Sequence, residues 1–335
     1  MWIKPTTNAP VMLTQLKQKL KGITREARWR LAYNQIDFTK AKGARILTYH
    51  GVCGSNPFLY NTLFISQKSF EKQLILFKRF FNVVSLHDYF LGHFSKDKFT
   101  VCLTFDDGFA NNHNYVLPLL EKYRLPATFF ITGIRGAGYD ILWNDCLAIA
   151  QKHGPKRLVL LQEMFTKNNT GHYVSEIGLH LADILRASDF STKAEVLHLL
   201  EPYKQRAEKE YWQQLTIDQI KKMAASKWVT IGSHGYYHND MATLSRPHLK
   251  EDLQQSKSFL ENVTQKEITA IAFPYGSYSS MVLEEATLAG YTQLLAADQI
   301  NTLDTSCTYL HSRLTINPFI SPINQLHATI SGNYN

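Results

Sequence analysis

Short apolar runs alternate with helix-length segments along this chain, and that alternation limits its fold more than any other feature. RILTY (45–49), NVVSL (82–86), TVCLTF (100–105), ATFFIT (127–132), WVTIGS (228–233), ITAIAF (268–273), YTQLLA (291–296) and YLHSRLTI (309–316) are brief and rich in β-branched and aromatic residues, the pattern of buried strands. Between them lie segments with helical spacing. In residues 66–81, Phe70, Leu74, Phe77 and Phe81 share one face and Ser66 is placed to cap. Segments 115–123, 216–225 (with Thr216 as cap), 246–263 and 281–289 read as further helices. Strand, helix, strand at this spacing argues for parallel βα units. About seven such strands predict an α/β fold, a single (β/α) barrel, complete or open.

Residues 134–215 interrupt the rhythm. Helical patterns around 141–153, 177–187 and 193–211 are separated by polar turns such as Lys167 to Gly171, which predicts a helical insertion between two barrel units. It either shapes the mouth of a site or decorates the surface, since long insertions are often functional. The expected organisation is a basic N-terminal segment 1–43, a barrel over 44–320 with the insertion at about 134–215, and a C-terminal tail 321–335.

With 44% hydrophobic and 19% charged residues among 335, a sizeable core is expected and disorder is not. No apolar run approaches the ~20 residues that span a bilayer, and residues 1–22 lack a secretory-signal pattern. Cys53, Cys102, Cys146 and Cys307 are widely separated and form no CxxC pair, which fits a reducing, cytoplasmic setting better than a zinc ribbon or a disulfide framework. The net charge of +8 is concentrated in residues 1–43, which hold nine Lys/Arg against Glu26 and Asp37. A nucleic-acid-binding domain carries its basic patch on the fold itself, so that partner class is not expected. In residues 10–31, Leu13, Leu16, Leu20 and Ile23 recur at helical spacing among basic residues. Such a helix either lies on an anionic membrane surface, here the inner membrane, or packs on the domain with a solvated basic face.

The chemistry-bearing residues stand at strand ends. The 100–105 strand runs into Asp106, Asp107 and Gly108, the first strand into His50 and Gly51, the 228–233 strand into His234 and His238, and the 268–273 strand into Pro274-Tyr275-Gly276. In parallel α/β folds the C-terminal strand ends share one face, and that face holds the site. Two histidines four apart and one carboxylate suit a divalent metal with open positions, zinc first and nickel or cobalt as alternatives. Gly235 follows His234 and no glutamate follows to act as a base, so the pair is not a zincin helix. Asp106 is then the natural base beside a ligand Asp107, since paired carboxylates in different environments take different roles.

TFDDG, then SHxxxH in the form GSHGYYH, then FPYG resemble the motifs of the polysaccharide deacetylases of carbohydrate esterase family 4, the NodB homology domain, over roughly residues 44–316. The resemblance implies a distorted seven-stranded (β/α) barrel that hydrolyses the acetamido group of a sugar with a divalent metal. It implies Asp106 as general base, Asp107, His234 and His238 as metal ligands, the Tyr275 backbone N–H as oxyanion donor, and Pro274 with Tyr275 at the substrate. Two features depart from the common pattern. The arginine usual two residues before the proline of the third motif is Ala272 here, and the late histidine motif is not obvious, although His311 lies near its place. ILTYHGV resembles the permuted branch of the family, in which an early strand supplies the acid. His50 is therefore expected as general acid rather than His311, with Arg313 orienting the base or binding substrate.

The expected activity is release of acetate from an N-acetylated sugar in a glycan or glycan precursor. Two other readings compete. A catalytically impaired carbohydrate-binding module on the same fold is compatible with Ala272, but does not explain a retained metal-ligand set. A glycosidase would need carboxyls ~5–9.5 Å apart across a glycosidic bond, which adjacent aspartates on one turn do not naturally supply.

Overall fold

Nine strands of one sheet, all paired in parallel, form the centre of the computed structural model, which describes residues 9–31, 33–298 and 308–334. In chain order they are β1 (Ala44–Tyr49), β2 (Asn82–Val84), β3 (Thr100–Phe105), β4 (Ala127–Ile131), β5 (Val229–Ser233), β6 (Ala270–Ala272), β7 (Gln293–Leu295), β8 (Leu310–His311) and β9 (Leu314–Thr315). The order across the sheet is β8-β7-β6-β5-β4-β3-β1-β9. The start of β3 also pairs with β2 while its end pairs with β4, so this strand is the hub of the sheet.

The two edges of the sheet meet on one short stretch of chain. β8 pairs with β7 and β9 pairs with β1, and only Ser312 and Arg313 separate β8 from β9. If 310–315 is counted as one broken strand, the ring holds seven strands with β2 outside it. This is the distorted seven-stranded barrel that the sequence predicts, and Arg313 sits at its seam.

Alternation along the strands sorts the core into two sets. Leu47, Tyr49, Val101, Leu103, Phe105, Phe129 and Ile271 pack outward in a large cluster that includes Phe70, Leu74 and Phe77 of helix Gln67–Phe80. Ile46, Cys102, Phe130, Ala270, Ala272 and Leu295 form a small second cluster on the other face. His50 and Asp106 continue the parity of that second face, past Thr48 and Thr104. The helix signals behave as the sequence predicts: Ser66 accepts a hydrogen bond from the Ser69 N–H, and Thr216 forms a capping box with Gln219.

Three expectations are corrected. The insertion is not purely helical: between helices Trp143–His153 and Leu181–Ala187 it holds three antiparallel strands, Arg157–Leu160, Glu163–Lys167 and Tyr173–Val174. The polar turn at Lys167–Gly171, read as a break between helices, is the connection of a hairpin. The 321–335 stretch holds the capped helix Pro322–Ser331 rather than a plain tail. The N-terminal segment packs on the rest: helix Ala9–Arg30 contacts that last helix, and Trp29 and fully buried Phe38 cluster with Phe80. No helix among the described residues is long and apolar enough to cross a membrane. Cys53, Cys102 and Cys146 are free and buried, and Cys307 lies outside the described residues.

Phe105 is fully buried and stacks on Phe129 at 4.8 Å and Tyr49 at 5.0 Å. Phe105→Ala should cost about 3–5 kcal/mol of unfolding free energy, read from the urea midpoint at unchanged slope.

Candidate active site

The turn after β3 requires a glycine. Asp107 (φ 73°) and Gly108 (φ 78°) are both left-handed, and a Cβ on Gly108 would lie 2.9 Å from Cγ2 of Ile131. That turn rotates Asp107 away from Asp106, so two adjacent carboxylates reach different partners. It is held by the returning end of the insertion: the Leu215 N–H donates to Gly108 O and the Ala110 N–H to Gln213 O.

Asp106 meets Arg313. Nη1 donates to Oδ1 and Nη2 to Oδ2, each at 2.7 Å, with both residues buried. This is the bidentate geometry that guanidinium and carboxylate favour. Burial opposes ionisation of Asp106, but the charges of Arg313 and His234 outweigh it and hold the carboxyl below its usual range. Arg313 was expected either to orient the base or to bind substrate, and the structure pairs it with Asp106 across 207 residues of chain.

Asp107 meets the histidines. Nε2 of His234 and Nε2 of His238 each lie 3.3 Å from its Oδ1. The ligand atoms of the three buried residues all fall within 4.8 Å of one another. His234 Nδ1 donates to Ala272 O at 2.7 Å, which fixes the tautomer and leaves Nε2 free for a metal. His238 Nδ1 lies 3.3 Å from the Tyr275 hydroxyl. Burial favours ionisation of neither Asp107 nor His234. The two imidazoles nonetheless hold Asp107 well below the carboxylate range, and Asp106 with Asp107 raise His234, while at His238 burial prevails and lowers it. Two imidazole nitrogens and one carboxylate oxygen converging this closely fit a site for a divalent metal.

The loop carrying the histidines is pinned from two sides. Asp252, on helix Arg246–Thr264, accepts from the Tyr236 N–H at 2.7 Å and from Asn239 at 3.1 Å. From the insertion, buried Lys193 donates to Asn239 at 2.7 Å, and Arg186 pairs with Asp240 at 2.7 Å. The Arg186 guanidinium also lies over the Tyr275 ring, 4.5 Å from its centroid. Asp107, His238 (φ 54°) and Tyr275 (φ 60°) are all non-glycine residues with positive φ, strain of the kind that accumulates at functional sites.

These residues surround a cavity of about 530 Å³, within the range of ligand pockets. His50, Asp106, Asp107, His234, His238, Tyr275 and Arg313 all line it. His50 faces it with its Nδ1 buried and without a partner among the described residues. His311 does not line it and packs instead against the rings of Tyr89 and Phe90. Pro274, expected at the substrate, is buried outside the lining, near Gly235. The sequence did not single out the opposite wall, which is formed by Tyr60 to Leu63 and by Asn144, Asp145, Gln151 and His172 of the insertion. No motif marks those residues.

The model of the family described as polysaccharide deacetylase matches residues 94–294, which include Asp106, Asp107, His234, His238 and Tyr275 but neither His50 nor Arg313. A curated relative from Bacillus subtilis (strain 168), named "Putative polysaccharide deacetylase YxkH", is 22% identical over 191 residues, 57% of this chain and 42% of that protein. The chain thus matches less than half of that relative's length. Among solved structures, the Streptococcus pyogenes deacetylase PplD in complex with acetate aligns with a TM-score of 0.57 at 19% identity, covering 85% of this chain and 97% of that one. IcaB from Ammonifex degensii aligns at 0.53 and 18%, covering 87% and 98%. At these identities the structural matches show the shared fold.

Removing the partner of a buried carboxylate has a definite consequence. Arg313→Met should cost about 3–5 kcal/mol near neutral pH. Asp106 titrates below its unfolded value in the native protein, so its contribution is present above about pH 4 and lost as pH falls through the lowered folded value. In the variant burial is unopposed by Arg313, so the stability deficit should shrink toward acid pH, as urea titrations at several pH values will read.

Proposed function

This chain belongs to the polysaccharide deacetylase family, and we propose that it removes the acetyl group from an N-acetylated sugar in a glycan or glycan precursor, with a divalent metal, zinc first among the candidates. The observation that carries this reading is the convergence of Asp107, His234 and His238 within 4.8 Å, beside an Asp106 held ionised by Arg313.

In this proposal Asp107, His234 and His238 hold the ion, which supplies Lewis-acid polarisation of the acetyl carbonyl and of water. Asp106 takes a proton from the attacking water as the new C–O bond forms. Arg313 keeps that carboxylate ionised and fixes its plane. The backbone N–H of Tyr275 donates to the developing oxyanion, an interaction worth ~2.7–4 kcal/mol per donor in other enzymes. As the C–N bond breaks, His50 gives a proton to the departing amine, a role for which an imidazole is suited. The products are acetate and a free amino sugar. His50 is favoured over His311 because only His50 lines the cavity. The pairing of Arg313 with Asp106 also supports catalysis over a binding-only module, because recognition of sugar alone does not require an ionised base held this way.

We extend the proposal to location. Helix Ala9–Arg30 exposes Leu20 and Ile23 among Lys19, Lys21 and Arg25, which supports contact with an anionic inner-membrane surface and a lipid-linked substrate met from the cytoplasm. Liposome flotation should show binding that is lost in a variant lacking residues 1–31. Equal binding by both proteins would remove this part of the proposal.

The deciding experiment is acetate release from N-acetylhexosamine oligomers, a nucleotide-diphosphate N-acetylhexosamine and a polyprenyl-diphosphate N-acetylhexosamine, with zinc and with chelator. Release should be chelator-sensitive. Asp106→Asn should keep zinc and lose at least ~10²-fold in kcat, whereas His234→Ala should lose zinc itself. Metal loss in the Asp106 variant would contradict the division of roles between the two aspartates.

A further inference from the structure

The cavity has a second wall, and its polar groups have no task in the reaction described above. Helix Trp143–His153 of the insertion directs its first turn at the cavity. Asp145, in that turn, lines the cavity yet is only 5% exposed; its carboxyl hydrogen-bonds the Asn61 side chain, but its Oδ2 has no hydrogen-bond partner among the described residues. A buried carboxyl oxygen without a partner costs stability whether it is charged or neutral. An acidic side chain in the first helical turn often caps the backbone, but no side-chain cap bond is made at this helix start. Neighbouring Asn144, also in the lining, has a buried Oδ1 that is likewise without a partner. Burial, and then the negative charge of Asp107, push the Asp145 carboxyl above the usual carboxylate range against the hydrogen bond from Asn61.

We propose that the insertion builds a sugar-hydroxyl recognition subsite facing the Asp107–His234–His238 cluster, with Asp145 as its buried hydrogen-bonding group and Asn144 beside it. The inference rests on the deacetylase reading for the identity of the ligand as a sugar. A polyhydroxylated ring presents donors and acceptors side by side, and it completes both unpartnered oxygens at once. Recognition through buried polar groups is also the arrangement that discriminates best, because a ligand lacking the hydroxyl leaves them unpaired.

The test compares wild type, Asp145→Asn and Asp145→Leu as full-length, zinc-loaded protein against the same acetylated-sugar panel. Three quantities are read: the melting temperature without sugar, the affinity for each sugar, and kcat and KM for acetate release. The asparagine variant should melt at or above the wild-type temperature, because it removes a buried titratable carboxyl and can keep the hydrogen bond to Asn61, while the leucine variant loses that bond. The leucine variant should bind the preferred sugar about tenfold more weakly or worse, through KM and with kcat little changed, and the asparagine variant should fall between. Melting several degrees below wild type in both variants would make Asp145 a structural group and overturn the subsite. Wild-type affinity in both would do the same. If the wild-type protein binds a sugar without releasing acetate, the deacetylase reading fails while the subsite is still judged on affinity. If it neither binds nor cleaves any member of the panel, both fail.

Discussion

The ion pair between Arg313 and Asp106 joins the closure of the barrel to the chemistry of its mouth. Arg313 lies in the two-residue break where the last strand passes from one edge of the sheet to the other. Its guanidinium reaches Asp106 at the end of the hub strand, and its Nη1 also donates to Thr104 at 3.3 Å. The pair crosses the interior of the ring, where burial makes each charge dependent on the other. Its position explains how this chain has a neutralised base with Ala272 at the place where the family resemblance implies an arginine. The cation comes from a different strand, and the small side chain at 272 stands on the same inward-facing side of the sheet.

Around that pair, three motif loops are bent against their local preference. Asp107, His238 and Tyr275 hold positive φ, a conformation that costs of order 1–3 kcal/mol per residue. Packing and hydrogen bonds from well outside the loops maintain it. Asp252 holds the histidine loop from the barrel side, Arg186 and Lys193 hold it from the insertion, and the chain at 213–215 holds the aspartate turn. The insertion is therefore part of the site's framework as well as one wall of its cavity. Its own core, with Trp143, Leu147, Phe165, Tyr173 and Leu200, is a separate buried cluster, which gives that wall a rigid backing.

The strand-end residues were legible because of a simple geometry. In a parallel sheet every C-terminal strand end emerges on the same side, so motifs at Asp106, His234 and Tyr275 had to converge whatever the details of packing. In the structure, strand parity also puts His50 and Asp106 on one face, since both continue an alternation set by Ile46 and Cys102. Helix caps at Ser66 and Thr216 were legible for a similar reason: a cap is decided within four residues.

What the sequence determined by itself is the set of local choices: the alternation of strand and helix, the capped helix starts, the glycine that the Asp107 turn demands, and the donor types at the strand ends. These depend on period, backbone sterics and side-chain chemistry over a few residues. Tertiary structure alone decided that Arg313 pairs with Asp106 rather than reaching only the substrate, that His311 is spent on packing against Tyr89 and Phe90, that Pro274 lies outside the cavity lining, and that Asp145 faces the cavity. Each of these is a contact between segments tens to hundreds of residues apart, or a choice between two faces of an element, and neither leaves a periodic trace in the chain. The hairpin inside the insertion escaped for the related reason that strands of two to five residues are too short to show their period, and pairing with one another, rather than local preference, makes them strands.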